Sequence, residues 1–195
     1  MHIKSTNEIT VKVTSSKTEL ISILENKNFI PGRTFSLDDY YFIPMDLNIN
    51  NTSTRDILSK AVIIRVFSEN NTDIKIIIYK IKKFDENGDI LNQKSINCTI
   101  TNIEEAKDLL TAIGYREIMN IKENNIIYSK NKLELAVKEV INGDILIEVE
   151  TEPHTEFDTI DKLKAIISNL EIPILPNEFF IKKAEIELDK ILNRN

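Results

Sequence analysis

The chain has 195 residues, which suits one domain, or one large domain with appended helices. It is 42% hydrophobic and 29% charged, ordinary for a soluble globular protein, and its formal net charge of −6 argues against an extended nucleic-acid surface, which needs a basic face. A single cysteine, Cys98, excludes an internal disulfide and a cysteine metal cluster, and no apolar run approaches the ~20 residues that span a membrane. With no signal-peptide core at the N-terminus, the expected setting is reducing and cytoplasmic.

In chain order, Asn7 to Val13 alternates as a strand, with Ile9, Val11 and Val13 on one side and Glu8, Thr10 and Lys12 on the other. Ser16-Lys17-Thr18-Glu19 is a capping box that opens a helix carrying Leu20, Ile21 and Leu24, ending before Pro31-Gly32. A strand follows over about Phe35 to Ile43, stopped by Pro44, and residues 45–60 read as a polar excursion. Ala61 to Phe67 and Asp73 to Lys83 are apolar strands carrying Arg65, Lys75 and Lys80. Asn87-Gly88 predicts a hairpin turn into a strand from Gln93 to Thr101. Asn102 with Glu105 starts a second helix, which Gly114 stops. Tyr115 to Lys122, Asn125 to Lys130 and Leu133 to Val140 read as three strands, and Asn142-Gly143 turns into a strand over Asp144 to Glu152. Helices are predicted over about Thr159 to Leu170 and Glu178 to Leu192, on either side of Pro173 and Pro176.

Glu148 and Glu150 repeat the alternation of Glu8, Thr10 and Lys12. If the strands close on themselves, the polar faces share one interior, where carboxylates suit a divalent cation and Lys or Arg suit phosphates. Capped helices and eight or nine strands in hairpins predict an α+β fold. Its centre is a closed or nearly closed antiparallel eight-stranded β-barrel, which can enclose a small ligand. It is expected to form a single domain over 1–195, with the barrel in 1–152 and C-terminal helices in 153–195.

The pattern resembles the CYTH superfamily, the triphosphate tunnel metalloenzymes, which includes class IV adenylyl cyclases, thiamine-triphosphatases and inorganic triphosphatases. Glu8, Thr10 and Lys12 match that family's ExExK strand, and His2-Ile3 stands six residues upstream as in the cyclases. Asp38-Asp39-Tyr40 with Pro44, Val62-Ile63-Ile64-Arg65, Ile78-Tyr79-Lys80 and Lys122-Glu123-Asn124 match later motifs in order. Leu133 to Val140, Gly143-Asp144 and Glu148-Val149-Glu150 match the closing strands. The resemblance covers about residues 2–152.

The resemblance implies Mg2+ or Mn2+ held by Glu8, Glu148 and Glu150. It implies phosphate contacts from Lys12, Arg65, Lys80, Lys94 and Lys122, with Lys12, Arg65 and Lys80 taking the catalytic charge-stabilising roles. The implied substrate is a small triphosphate (ATP, thiamine triphosphate or tripolyphosphate), with no nucleic-acid or membrane partner and with a homodimer left open. Lys75 and Lys82 are assigned to the surface, and Tyr40 to wall packing. Departures from the pattern are Thr10 for a Glu, Ile63 and Asn124 for Arg, and Lys138 for an acid. They predict a class IV adenylyl cyclase-like enzyme or a triphosphate phosphohydrolase of reduced activity. The alternative is a non-catalytic nucleotide- or polyphosphate-binding module with a degenerate tunnel.

Overall fold

The structure, a computed structural model, describes residues 8–84, 90–151, 157–176 and 178–193. His2 and the Asn87-Gly88 turn lie outside the described residues. Eight antiparallel strands, β1 (Glu8–Val13), β2 (Ile30–Pro44), β3 (Val62–Glu69), β4 (Thr72–Phe84), β5 (Ile90–Thr99), β6 (Tyr115–Lys130), β7 (Leu133–Val140) and β8 (Ile145–Glu150), form one sheet in the order β1-β8-β7-β6-β2-β3-β4-β5. Five helices accompany it: α1 (Lys17–Asn26), α2 (Thr54–Ser59), α3 (Ile103–Ala112), α4 (Ile160–Asn169) and α5 (Lys183–Ile191). The fold is α+β. No helix among the described residues is long and apolar enough to cross a membrane.

Of the two forms expected, a closed or a nearly closed barrel, the closed one is corrected: hydrogen bonds among the described residues do not close the sheet. Among the described residues the end strands β1 and β5 share no ladder. The outer edge of β1 is taken instead by the segment before α5. Thr10 N donates to Phe179 O at 2.9 Å, Ile181 N to Thr10 O at 3.1 Å, and Leu175 N to Lys12 O at 3.0 Å. An exposed edge would offer its amides to another chain, and this covering segment satisfies them. It also explains why the last helix begins at Lys183 rather than near Glu178.

The chain divides into two compact units, one built on residues 6–35 with 123–182 and the other on residues 36–122 with 183–195. In the first, β1, β8, β7 and the C-terminal part of β6 lay one face on α1 and α4. Ile9, Val11, Leu20, Leu24, Leu135, Val137, Ile147, Val149, Leu163 and Ile167 fill that core. Ser16 caps α1 by accepting from Glu19 N, and Thr159 caps α4 by accepting from Lys162 N. In the second, β2 and β3 pack Phe42 and Ile64 on Ala106 and Leu110 of α3, which Asn102 caps.

Three elements differ from expectation for local reasons. Ser53 accepts from Asp56 N and starts the short helix α2 inside the polar excursion. Asn70 and Asn71, both at positive φ (49° and 60°), make the tight β3–β4 turn. The polar triplet Glu123-Asn124-Asn125 does not break β6, because Glu123 and Asn125 are buried on one face while Asn124 is exposed on the other.

Candidate functional site

In the first unit the sheet face away from α1 and α4 is polar, and the register states why. Glu8 lies opposite Glu150, Thr10 opposite Glu148, and Lys12 opposite Leu146. On β7, Ala136 lies opposite Glu148 and Lys138 opposite Leu146, and on β6, Asn125 lies opposite Lys138. Paired residues share a face, so strand parity gathers Glu8, Thr10, Lys12, Lys138, Glu148, Glu150, Glu123 and Asn125 on one surface.

Ligand oxygens of Glu8, Glu148 and Glu150 lie within 4.8 Å of one another. Three like charges this close repel, and lysines offset them. Lys138 Nζ is 2.6 Å from Glu148 Oε2, with both side chains under one-fifth exposed. Lys182 Nζ is 3.0 Å from Glu8 Oε1. Thr10 Oγ1 donates to Glu148 Oε2 at 3.4 Å. At the far end of the face Lys12 Nζ holds Asp144 Oδ1 at 2.8 Å. Asn125 and Glu123 are almost fully buried. Asn125 Nδ2 donates to Glu123 Oε1 at 3.3 Å, while the buried Asn125 Oδ1 has no hydrogen-bond partner. Hard carboxylate oxygens at this spacing fit a hard divalent cation such as Mg2+ or Mn2+ by donor chemistry.

The second unit holds a different ion cluster. Asp39 on β2 is fully buried. It accepts from Arg65 Nε at 2.6 Å and Arg65 Nη2 at 2.7 Å, and from Lys183 Nζ at 3.1 Å. Burial opposes the charge on Asp39, but hydrogen bonds from Arg65 and the charges of Lys183 and Arg65 outweigh it and hold its carboxyl below the usual value. Arg65 pairs with Ile76 across β3 and β4, so Lys80 shares its face and is half-buried. Lys94 lies opposite Ile81, one residue out of that phase, and is exposed on the other face. Lys122 alternates with buried Met119 and Ile121, and its exposed ammonium lies 3.4 Å from Asp38. Asp38 also accepts from Asn120 Nδ2 at 2.5 Å and from the Tyr40 hydroxyl at 3.1 Å.

Of the residues singled out from the sequence, Glu8, Glu148 and Glu150 are thus brought together, with Lys12 on the same face. Arg65 and Lys80 share a face of their own unit, and Lys94 and Lys122 do not join it. Sequence reasoning gave Asp39 and Asp144 motif matches but no site role, and it missed Lys182, Lys183 and Asn125. The parity of Asp38 and Asp39, which must point to opposite faces, was the available signal for Asp39. Nothing local marks Lys182 or Lys183, since both act through long-range placement of the C-terminal segment.

No protein-family model matches the sequence, and no curated protein does. Solved structures resemble it. A protein of Pyrococcus horikoshii superposes with a TM-score of 0.70 at 20% identity, covering 95% of this chain and 99% of that one. A Vibrio parahaemolyticus protein titled "putative adenylate cyclase" gives 0.58 at 13% identity, covering 96% and 97%. A Bacillus halodurans protein of the same description gives 0.51 at 16% identity, covering 88% and 92%. At these identities the likeness is one of fold.

Proposed function

We propose that the chain is a metal-dependent enzyme acting on a small triphosphate, of the CYTH tunnel type, with slow turnover. The observation that carries this is the meeting of the Glu8, Glu148 and Glu150 carboxylates on two adjacent strands. The fold it shares with two proteins described as "putative adenylate cyclase" supports the same class.

In this reading Glu8, Glu148 and Glu150 hold Mg2+ or Mn2+. When bound, the ion neutralises phosphate oxygens as charge shifts during transfer. Lys12, Arg65 and Lys80 are the cations this reading assigns to the phosphates, through charge-assisted hydrogen bonds. Lys94 and Lys122 belong to the same proposal, and both are exposed on faces away from Lys80. A tunnel, the cyclase-or-hydrolase choice, ATP as against thiamine triphosphate or tripolyphosphate, and a cytoplasmic location are parts of this proposal.

A second reading is favoured by one observation: the bidentate Asp39–Arg65 pair already engages the principal phosphate-side guanidinium. A guanidinium engaged in this way gives little charge to a transition state, which fits a non-catalytic binder of nucleotide or polyphosphate. Incubation with each triphosphate and Mn2+, with product identification and a parallel melting curve, separates the two. Pyrophosphate or orthophosphate release, lost in Glu148→Gln, is expected. A ligand-induced rise in melting temperature without product leaves the binder, because a ligand that binds only the folded state stabilises it. Neither product nor shift removes both.

A further inference from the structure

We propose that Lys138 is a built-in counter-cation of the carboxylate cluster. It competes with the divalent cation for Glu148 and moves across to Asn125 when the metal loads. The inference rests on the reading of Glu8, Glu148 and Glu150 as a cation site and adds the residue that sets its affinity.

The register supplies the geometry. Lys138 lies directly opposite Leu146, so Glu148 is its diagonal neighbour on β8, within reach of a long side chain. The ammonium uses that reach, at 2.6 Å from Glu148 Oε2. Lys138 is held at low exposure on a β7 whose other face is packed in the core, so its stem is fixed and only its end is free to choose a partner. A divalent cation taking the Glu148 oxygen would face this ammonium at contact distance. The two positive charges then repel, and the lysine must leave or the metal must bind weakly.

Asn125 supplies the second half. It stands directly opposite Lys138 on β6, on the same face, and is 1% exposed. Its Oδ1 is buried with no hydrogen-bond partner. Exchanging the amide oxygen and nitrogen does not remove the mismatch, because only one end of the group reaches Glu123. A buried acceptor in this condition is costly until a donor arrives. Lys138 has the charged acceptor it holds and, across the ladder, the neutral Asn125 Oδ1 beside the buried Glu123 carboxylate. Metal binding exchanges the first for the second. Lys182, which holds Glu8, does the same service less tightly, since Glu8 is more exposed than Glu148.

The test is Mn2+ binding to the whole chain, read by calorimetry and by the electron-spin signal of free Mn2+, so that no turnover is needed. Lys138→Met keeps the stem and removes the charge, and is expected to bind Mn2+ roughly tenfold or more tightly than the unmodified chain. Lys138→Arg keeps the charge and stays weak. Asn125→Leu removes the second acceptor and weakens Mn2+ binding severalfold, and in the Lys138→Met background it has no further effect. Equal, measurable affinities for the unmodified chain, Lys138→Met and Asn125→Leu overturn the exchange and leave the cation site standing. Absence of Mn2+ binding in every chain at millimolar metal removes the cation site and the exchange with it. If Lys138→Met does not fold, Lys138→Gln and Asn125→Leu decide between the same outcomes.

Discussion

The two ion clusters use the same residue types to different ends. Asp39 is one carboxylate, fully buried, gripped by two cations through three hydrogen bonds. Glu8, Glu148 and Glu150 are three carboxylates on a shallower face, with two lysines in contact. Among the named groups the first cluster sums to an excess positive charge and the second to an excess negative one. Depth decides what the excess means. A buried charge with its hydrogen bonds in place cannot change partner without the full cost of desolvation, so Asp39 ties β2, β3 and α5 together. A half-exposed carboxylate can trade an ammonium for a metal ion at far smaller cost, so the second cluster is free to be a site.

The comparison breaks most visibly at Arg65. Arg65→Met leaves Asp39 charged, buried and facing only Lys183, and is expected to cost about 3–5 kcal/mol in urea unfolding. Asp39→Asn in the same chain should recover much of the loss, because the uncompensated charge is gone. A loss below about 1 kcal/mol for Arg65→Met would put the Asp39 cluster in the class of surface pairs.

Acid separates the clusters in the same direction. The folded-state value of Asp39 is depressed, so its contribution is complete above its unfolded value of about 3.9 and is lost as pH falls through the lower folded value. Denaturation midpoints measured from neutral pH down to pH 2 should fall at the acid end, and Asp39→Asn should flatten that part of the profile. An unchanged profile in the variant would show that Asp39 is no more strongly held in the folded chain than in the unfolded one.

Glu148→Gln tests the shallow cluster. It keeps the shape and a hydrogen-bonding partner for Lys138 while removing the ion pair, so the expected cost is about 1–2 kcal/mol. Mn2+ affinity should fall more than stability does. If stability drops as far as in Arg65→Met while Mn2+ binding is unmoved, the carboxylates are structural and the contrast between the clusters disappears.

How much of this was legible in the sequence follows from range. The alternation of β1 and β8 is local and exact in period, so the faces shared by Glu8 with Lys12 and by Glu148 with Glu150 could be read directly, while their union rests on the β1–β8 pairing. Helix starts at Ser16, Asn102 and Thr159 were equally legible, since a cap is a contact over three residues. Register across β4 and β5 depends on a turn and a ladder that parity alone does not fix, and this is why Lys94 could be placed beside Lys80 on paper and stands on the other face in the fold. The open order of the sheet was hidden for a related reason. The edge of β1 is covered by residues more than 160 positions away, and no local pattern at Phe179 or Ile181 announces it. Asp39 was present in a recognised motif, but its partner Lys183 comes from a helix whose start depends on that same covering segment.

The smallest expected effect concerns the residues that the fold leaves outside both clusters. Lys122 has a side chain 57% exposed and faces Asp38 at 3.4 Å, a pair screened by water. Lys122→Ala should change stability by at most about 1 kcal/mol. Lys94→Ala, at an exposed position opposite Ile81, should change it by about 0.5 kcal/mol or less. Neither should alter Mn2+ affinity, since neither shares the face of the three carboxylates. The informative readout is triphosphate affinity measured at saturating Mn2+. If it is unmoved in both variants yet weakened in Lys80→Ala, the phosphate-side residues are those on the Arg65 face. If Lys94→Ala or Lys122→Ala weakens it as much as Lys80→Ala does, phosphate contacts come from the outer faces, and face position is not what selects a substrate cation in this chain.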